Sequence, residues 1–166
     1  MTGKSELELR PVDINNFRDV GHLKVGKKQA KFLWSGGSQV VNWQFLVDCA
    51  YIPDCEPRAA YVRDKLVGLI GWCRHHPDGR FLEPAIPGEY AIDHVMIAKR
   101  HQGKGFGRKM IAAAVAELMM RADCRRIVLS VDPDNKDAIK LYKRSGFRTC
   151  YRDDDGDIWM EYKWHE

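Results

Sequence analysis

Apolar and polar residues alternate at the start of the chain. Leu7 and Leu9, with Val12 beyond them, stand between charged neighbours, which predicts an opening strand over Glu6–Arg10. Asp13 can cap a short helix reaching about Leu23, and the glycine-punctuated stretch Lys24 to Ser38 reads as irregular. Val40, Val41, Trp43, Phe45, Leu46 and Val47 predict a helix over Gln39–Ala50, ended by Pro53 and Pro57. The period then shortens. Arg58–Arg63 and Leu66–Arg74 read as strands joined by a tight turn at Asp64–Lys65, and the proline-bearing stretch His75 to Gly88 reads mostly as loop. Tyr90–Ile97 is apolar on both faces, as a central covered strand should be. Gly105–Arg121 is a helix burying Met110, Ile111, Ala114, Val115, Leu118 and Met119. Arg126–Val131 is a strand, and Asp134–Arg144 a helix closed by Gly146. Phe147–Arg152 and Ile158–Trp164 form a closing hairpin over the acidic turn Asp153–Asp157. The order β-α-α-β-β-β-α-β-α-β-β gives an α/β chain with a mixed sheet and helices on both faces.

At 166 residues, with 45% of them hydrophobic, one domain over residues 1–166 with one core fits. No apolar run approaches the ~18 residues of a membrane span, and Met1 to Glu6 has no apolar leader core, so a cytoplasmic protein is expected. The net charge of +4 is too mild to make nucleic acid the main partner, and a basic pocket for a phosphorylated cofactor accounts for it. Cys49, Cys55, Cys73, Cys124 and Cys150 are odd in number and widely spaced, which argues against a disulfide framework or a zinc cluster; reduced thiols in or near the core are expected, and no metal.

The chemistry is concentrated in Val95–Arg108. A buried strand runs into a turn with Gly103, Gly105 and Gly107, and the turn opens a helix. Backbone N–H groups in such a nest converge on anionic oxygens, with Lys104 and Arg108 adding charge from the rim; a pyrophosphate is the natural guest. The spacing is not that of a dinucleotide-binding G-x-G-x-x-G unit, and Gly107-Arg108-Lys109 does not supply a P-loop. A second segment, Val131 to Phe147, carries Asn135, Ala138, Tyr142, Gly146 and Phe147. Together the two resemble the GNAT superfamily of N-acetyltransferases. Its Q/R-x-x-G-x-G/A motif is matched by Gln102, Gly105 and Gly107, and its N-x-x-A-x-x-x-Y-x-x-x-G-F signature by the second segment.

The resemblance is strong from about Ile92 to Phe147 and implies a central, mostly antiparallel sheet of about seven strands flanked by about four helices. It implies acetyl-CoA as cosubstrate. Val95, Met96 and Ile97 would hold the acetyl and pantetheine arm on a strand that splays after them, often at a bulge. The turn Gln102, Gly103, Lys104, Gly105, Phe106, Gly107 and Arg108 would take the pyrophosphate, and Asn135 the pantetheine arm. Tyr142 would be the general acid, since a phenol of pKa about 10 keeps its proton at neutral pH; its bland reading is a core aromatic. A primary amine must lose a proton before attack. Asp93 is the best base, or else a structural carboxylate paired with Arg74 or Arg63. Glu89 is next, and His94 is expected on the opposite face of the strand.

Other features have structural readings. His75-His76 points apart on a strand and is no metal site, and Asp153–Asp157 is a polar hairpin turn. Trp34, Trp43, Trp72, Trp159 and Trp164 read as core. For the acceptor, Ile92-Asp93-His94, Arg100 to Gly105, Arg126 to Ser130 and the segment Gln29 to Ser35 resemble bacterial spermine/spermidine N-acetyltransferases. Asp54, Glu56, Glu83, Glu89 and Asp93 can supply the charge a polyamine needs. Gly36-Gly37 and the long loop Arg74 to Gly88 depart from those enzymes. An aminoglycoside or peptide amine is the second reading, and a non-catalytic acetyl-CoA sensor module the third. A homodimer is compatible with all three.

Overall fold

The computed structural model describes residues 6–33, 40–75 and 85–164. Seven strands form one sheet in the order β1-β2-β3-β4-β5-β7-β6. They are β1 (Leu7–Pro11), β2 (Glu56–Val62), β3 (Lys65–Arg74), β4 (Glu89–Ile97), β5 (Arg126–Val131), β6 (Phe147–Arg152) and β7 (Ile158–Tyr162). Every pairing is antiparallel except β4 with β5, because α4 (Phe106–Met119) crosses between them. The helices α1 (Phe17–Gly21), α2 (Lys27–Ala30), α3 (Val40–Tyr51) and α5 (Lys136–Arg144) complete the set. The four-residue α2 lies inside the stretch expected to be irregular. No helix among the described residues is long and apolar enough to cross a membrane.

Each face of the sheet has its own core. Met110, Ile111, Ala114, Val115 and Leu118 of α4 bury against Ile70, Trp72, Ile92, Ile127, Leu129 and Met160 on one face. Val20 of α1 and Phe45 of α3 meet Ala59 and Leu69 on the other. Both closures need small residues: a Cβ on Gly71 would fall 2.1 Å from the Phe45 ring, and one on Gly21 2.4 Å from Trp43.

Two local expectations are corrected. The β2–β3 turn is Arg63–Asp64 rather than Asp64–Lys65, since Val62 pairs with Lys65. Both turn residues are left-handed (φ 48° and 60°), the geometry that joins twisted strands tightly but that normally selects Asn or Gly, so the residue types hid it. Cys55 and Cys73 form a disulfide (S–S 2.08 Å, Cα–Cα 4.1 Å), against the expectation of reduced thiols. Their 18-residue separation looked uninformative, but the β2–β3 register sets Glu56 against Trp72 and so brings the neighbouring cysteines face to face. Cys49, Cys124 and Cys150 are free.

Candidate active site

The site is built on β4. At its start β4 is paired on both sides: Glu89, Tyr90 and Ala91 face Arg126, Ile127 and Val128 of β5, while β3 runs along the other edge. Past Ala91 the strands part, and β5 continues in pairing with β7. The edge of β4 facing β5, from Ile92 to Ile97, therefore has no strand partner among the described residues. Backbone groups in such a row need partners, and an extended ligand can supply them. Val95, Met96 and Ile97 lie on this edge. The splay begins before them rather than after.

A bulge marks the change. Gly71 pairs with His94 and Trp72 with Ile92, so Asp93 is the extra residue. The bulge suspends the side-chain alternation. His94 stacks on Phe45 of α3 (ring centroids 4.6 Å) and meets Asn42 Oδ1 at 3.2 Å, on the same side of the sheet as Asp48 of α3, whose charge reaches Asp93. The expected opposition of Asp93 and His94 is thus corrected. Burial pushes the His94 imidazole down to about 4, so it is neutral. Asn42 donates its amide to Leu23 O at 2.9 Å, turns its oxygen to His94, and so asks for a proton on Nε2.

Asp93 has a different environment. Its side chain is open to solvent, yet the protein packed around it raises its carboxyl pKa, helped by the like charge of Asp48. Arg74 is not its partner: that guanidinium holds Asp123 and lies over Tyr90. Arg63 sits in the β2–β3 turn. Among the described residues Asp93 has no ion pair. Burial, with the charges of Asp93, Asp48 and Glu56, pushes the Cys49 thiol up to about 12. Nothing in the sequence pattern singled out Asp48, because its role depends on where α3 crosses the sheet.

Glu89 is corrected as a base. It is buried, one oxygen takes His75 Nδ1, and the other accepts from Arg126 Nη1 at 3.0 Å. Glu56 is likewise tied to Arg58 and Arg121. Asp54 lies in the left-handed turn after α3. Of the carboxylates expected to serve a cationic substrate, Asp93 and Asp54 have no ion pair among the described residues; Glu83 lies outside them, as do His76, Trp34, Ser35, Gly36 and Gly37. Trp159, expected in the core, instead stands beside His75 with ring centroids 4.8 Å apart.

At the end of β4 a 3₁₀ turn, Lys99–His101, leads into the glycines. Gly103 (φ 74°) and Gly105 (φ 78°) are left-handed, and a Cβ on either would meet nothing within 4 Å. Gly105 is the N-cap of α4. This open, positively curved backbone at a helix start is a cradle for an anion. Gly107 plays another part: it lies inside the helix, and its missing side chain lets Leu141 of α5 approach, 3.3 Å from where a Cβ would be. The nest is built on two glycines rather than three. Positive charge surrounds it, since Arg100, Lys104 and Lys65 add to burial in depressing the His101 imidazole. Phe106 opens α4, followed by Arg108 in its first turn. Gln102 spends its amide on Ile97 O at 2.9 Å, tying the turn to the strand. Lys24 O, accepting from Lys99 N at 2.8 Å, draws the α1–α2 connection alongside. The space at Gly26 is shared by the amide oxygens of Gln29 and Gln102, so the Gln29 segment borders this turn.

Asn135 caps α5 by accepting from Ala138 N at 3.2 Å through Oδ1, which leaves its amide N–H groups available. Tyr142 is buried against Phe147, and burial pushes its phenol up to about 12. Its hydroxyl has no hydrogen bond among the described residues. The raised pKa keeps the hydroxyl protonated at neutral pH.

A family model described as "Acetyltransferase (GNAT) family" matches residues 31–147. The spermine/spermidine N(1)-acetyltransferase of Bacillus subtilis (strain 168) is 36% identical over 80 residues, which are 48% of this chain and 53% of that protein. The chain thus spans about half the length of that relative. The aminoglycoside acetyltransferase AAC(6')-Ib, solved with paromomycin and acetyl-CoA, superposes with a TM-score of 0.77 at 23% identity, covering 95% of this chain and 93% of that one. The spermidine N-acetyltransferase of Vibrio cholerae, solved with CoA and spermine, gives 0.74 at 19% identity, covering 95% of each chain. At these identities the superpositions speak to the fold alone.

Proposed function

Because the chain belongs to the acetyltransferase (GNAT) family, we propose that it transfers an acetyl group from acetyl-CoA to a primary amine, and that the amine is a polyamine such as spermidine or spermine. The observation that carries the transfer is the half-paired β4: a row of free backbone groups beside an uncompensated carboxylate, ending in an anion cradle. The residues fit the cosubstrate. Gly103 and Gly105, with Gln102, Lys104, Phe106 and Arg108 around them, would hold its pyrophosphate. Val95, Met96 and Ile97, with the Asn135 amide, would hold the pantetheine arm. When bound, it supplies an acyl group activated as a thioester.

The chain's own residues manage the protons. Asp93 takes the proton that the attacking amine must lose, and its raised pKa brings it nearer to the amine's, which eases that transfer. Tyr142 holds a proton at its hydroxyl for the thiolate that departs. An N–C bond forms, the C–S bond breaks, and one proton moves at each end. The polyamine reading is supported by the uncompensated Asp93 beside Asp48 and by the likeness to the Bacillus enzyme over 80 residues. The test is thiol release with acetyl-CoA and a panel of spermidine, spermine, an aminoglycoside and a peptide at equal concentration. Polyamines should turn over fastest. Turnover of the aminoglycoside or peptide alone would remove the polyamine and keep the transfer; no turnover with any amine would favour a non-catalytic acetyl-CoA sensor.

A further inference from the structure

Two buried side-chain polar atoms have no hydrogen-bond partner among the described residues, Trp72 Nε1 within the core and His75 Nε2, and the second lies beside a half-buried aromatic ring. His75 follows β3 and is buried, as is Glu89 opposite it. Glu89 is held by Arg126, whose Nη1 donates at 3.0 Å, and its other oxygen faces His75 Nδ1. The carboxylate assigns the proton to Nδ1, so in the neutral ring Nε2 carries a lone pair. That atom is buried and has no partner among the described residues. An acceptor left in this state costs stability unless something supplies a donor.

Trp159 tells what the donor is. Its indole N–H is fixed on Asp153 Oδ2 at 2.7 Å, and its ring is tilted 43° over the His75 imidazole. Tyr151 stacks on it at 5.7 Å, almost parallel, and is exposed. Trp159 is only half-buried, so its ring offers a face at the surface beside His75. A lone pair beside an aromatic face suits an ammonium, which donates N–H to the first and lies over the second. Because Arg126 already neutralises Glu89, recognition here rests on that hydrogen bond and the ring face rather than on net charge.

The position along the strand supplies the rest. Glu89, Ala91 and Asp93 alternate onto one face of β4, and four residues of strand separate the first from the last by roughly 13 Å. Resting on the reading of Asp93 as the site of acetyl transfer, we propose that His75 and Trp159 form a second amine station, which takes the distal ammonium of a di- or polyamine whose reacting nitrogen lies at Asp93. The pair is a specificity-determining feature: it selects acceptors by the distance between two amino groups.

The experiment uses α,ω-diaminoalkanes of increasing length and n-alkylamines of matching length, followed by thiol release with acetyl-CoA. In the wild-type protein the KM of the diamines should fall below that of the matched monoamines by about tenfold as the chain comes to span the two stations, with little change in kcat. His75→Phe and Trp159→Ala should each collapse that ratio, and Trp159→Phe, which keeps an aromatic face, should restore most of it. Equal KM values for matched diamines and monoamines in the wild type, or a ratio that survives both variants, overturn the proposal while leaving acetyl transfer standing. If His75→Phe does not fold, the wild-type length series and the Trp159 pair still decide. Failure of every amine to react removes the transfer reading and this one with it.

Discussion

The two halves of β4 share a sequence character and differ in their neighbours. From Glu89 to Ala91 the strand is paired on both edges, and its carboxylate is buried between Arg126 and His75. From Ile92 to Ile97 one edge is free, a bulge re-aims the chain, and its carboxylate stands with another carboxylate for company. A Glu and an Asp on one face of one strand thus have opposite surroundings: one is tied to Arg126 and His75, the other has no ion pair among the described residues. Membership in a strand does not decide which; the crossing of α3 and the departure of β5 do.

The strongest way to break this comparison is to neutralise each carboxylate in turn. Asp93→Asn should lower kcat by about 10²–10⁴-fold, the range of a general base, and leave thermal stability unchanged or slightly raised because a like-charge contact with Asp48 is removed. Tyr142→Phe should fall in the same range, since the ring and its packing on Phe147 remain. Glu89→Gln should do the reverse: a stability loss of about 1–3 kcal/mol from weakening the buried bonds to His75 and to Arg126, which keeps Glu161, read from denaturant midpoints, with kcat of the folded fraction largely kept. Swapped outcomes for Asp93 and Glu89 would invert the assignment.

The glycine turn sharpens the contrast at the far end of the strand. Gly105→Val should weaken coenzyme A binding by about tenfold or more in calorimetry, through a side chain in the cradle and a strained left-handed residue. No neighbour lies within 4 Å of the new Cβ, so the fold meets only the backbone cost. Unchanged affinity would mean that the phosphates bind elsewhere.

What the sequence made legible followed from local rules. The period of two gave the strands, the apolar stripe of α4 gave its buried face apart from Met119, expected there but 45% exposed at the helix end, and the left-handed Gly146 (φ 97°) stands where a helix end calls for it. The glycine turn and Tyr142 were visible because their spacing is local too. The hidden features depend on contacts between distant segments. Asp48 acts on Asp93 from α3, His75 meets Trp159 across two strands, and Cys55 meets Cys73 through register. The bulge hid in plain view: an inserted residue does not alter composition, but it turned His94 onto the α3 side and made neighbours of two residues that alternation had set apart.

His94 gives a smaller effect with a definite sign. Its folded pKa is lowered from 6.5 to about 4, so the unfolded chain binds the extra proton first as pH falls. Stability from this group is present above pH 6.5 and is lost on acidification down to about pH 4, by about 3 kcal/mol in all. Asp93 works the other way: its folded pKa is raised, so it adds stability as pH falls through that pKa. Denaturant midpoints against pH should therefore flatten over this window in His94→Gln. A variant with the wild-type slope would show that His94 binds its proton equally well in the folded and unfolded chain.

The smallest expected effect tests the free half of β4 through its charge. Under the polyamine proposal, Asp93 and Asp48 attract the acceptor by Coulomb forces, since among the described residues neither forms a salt bridge. The Debye length is about 10 Å at 0.1 M salt and about 3 Å at 1 M, so an attraction acting across a solvent-open cleft weakens as salt is added. KM for spermidine should rise by roughly two- to fivefold over that range, and more steeply than KM for a monoamine, because each further ammonium adds its own screened attraction. Asp48→Asn should reduce the slope without touching the reacting groups. The aromatic station at His75 and Trp159 contributes nothing to it, as its carboxylate is already matched by Arg126. A spermidine KM that does not move with salt would mean that the carboxylates of the free half do not meet the acceptor's charge, and that its preference for amines rests on shape and hydrogen bonds instead.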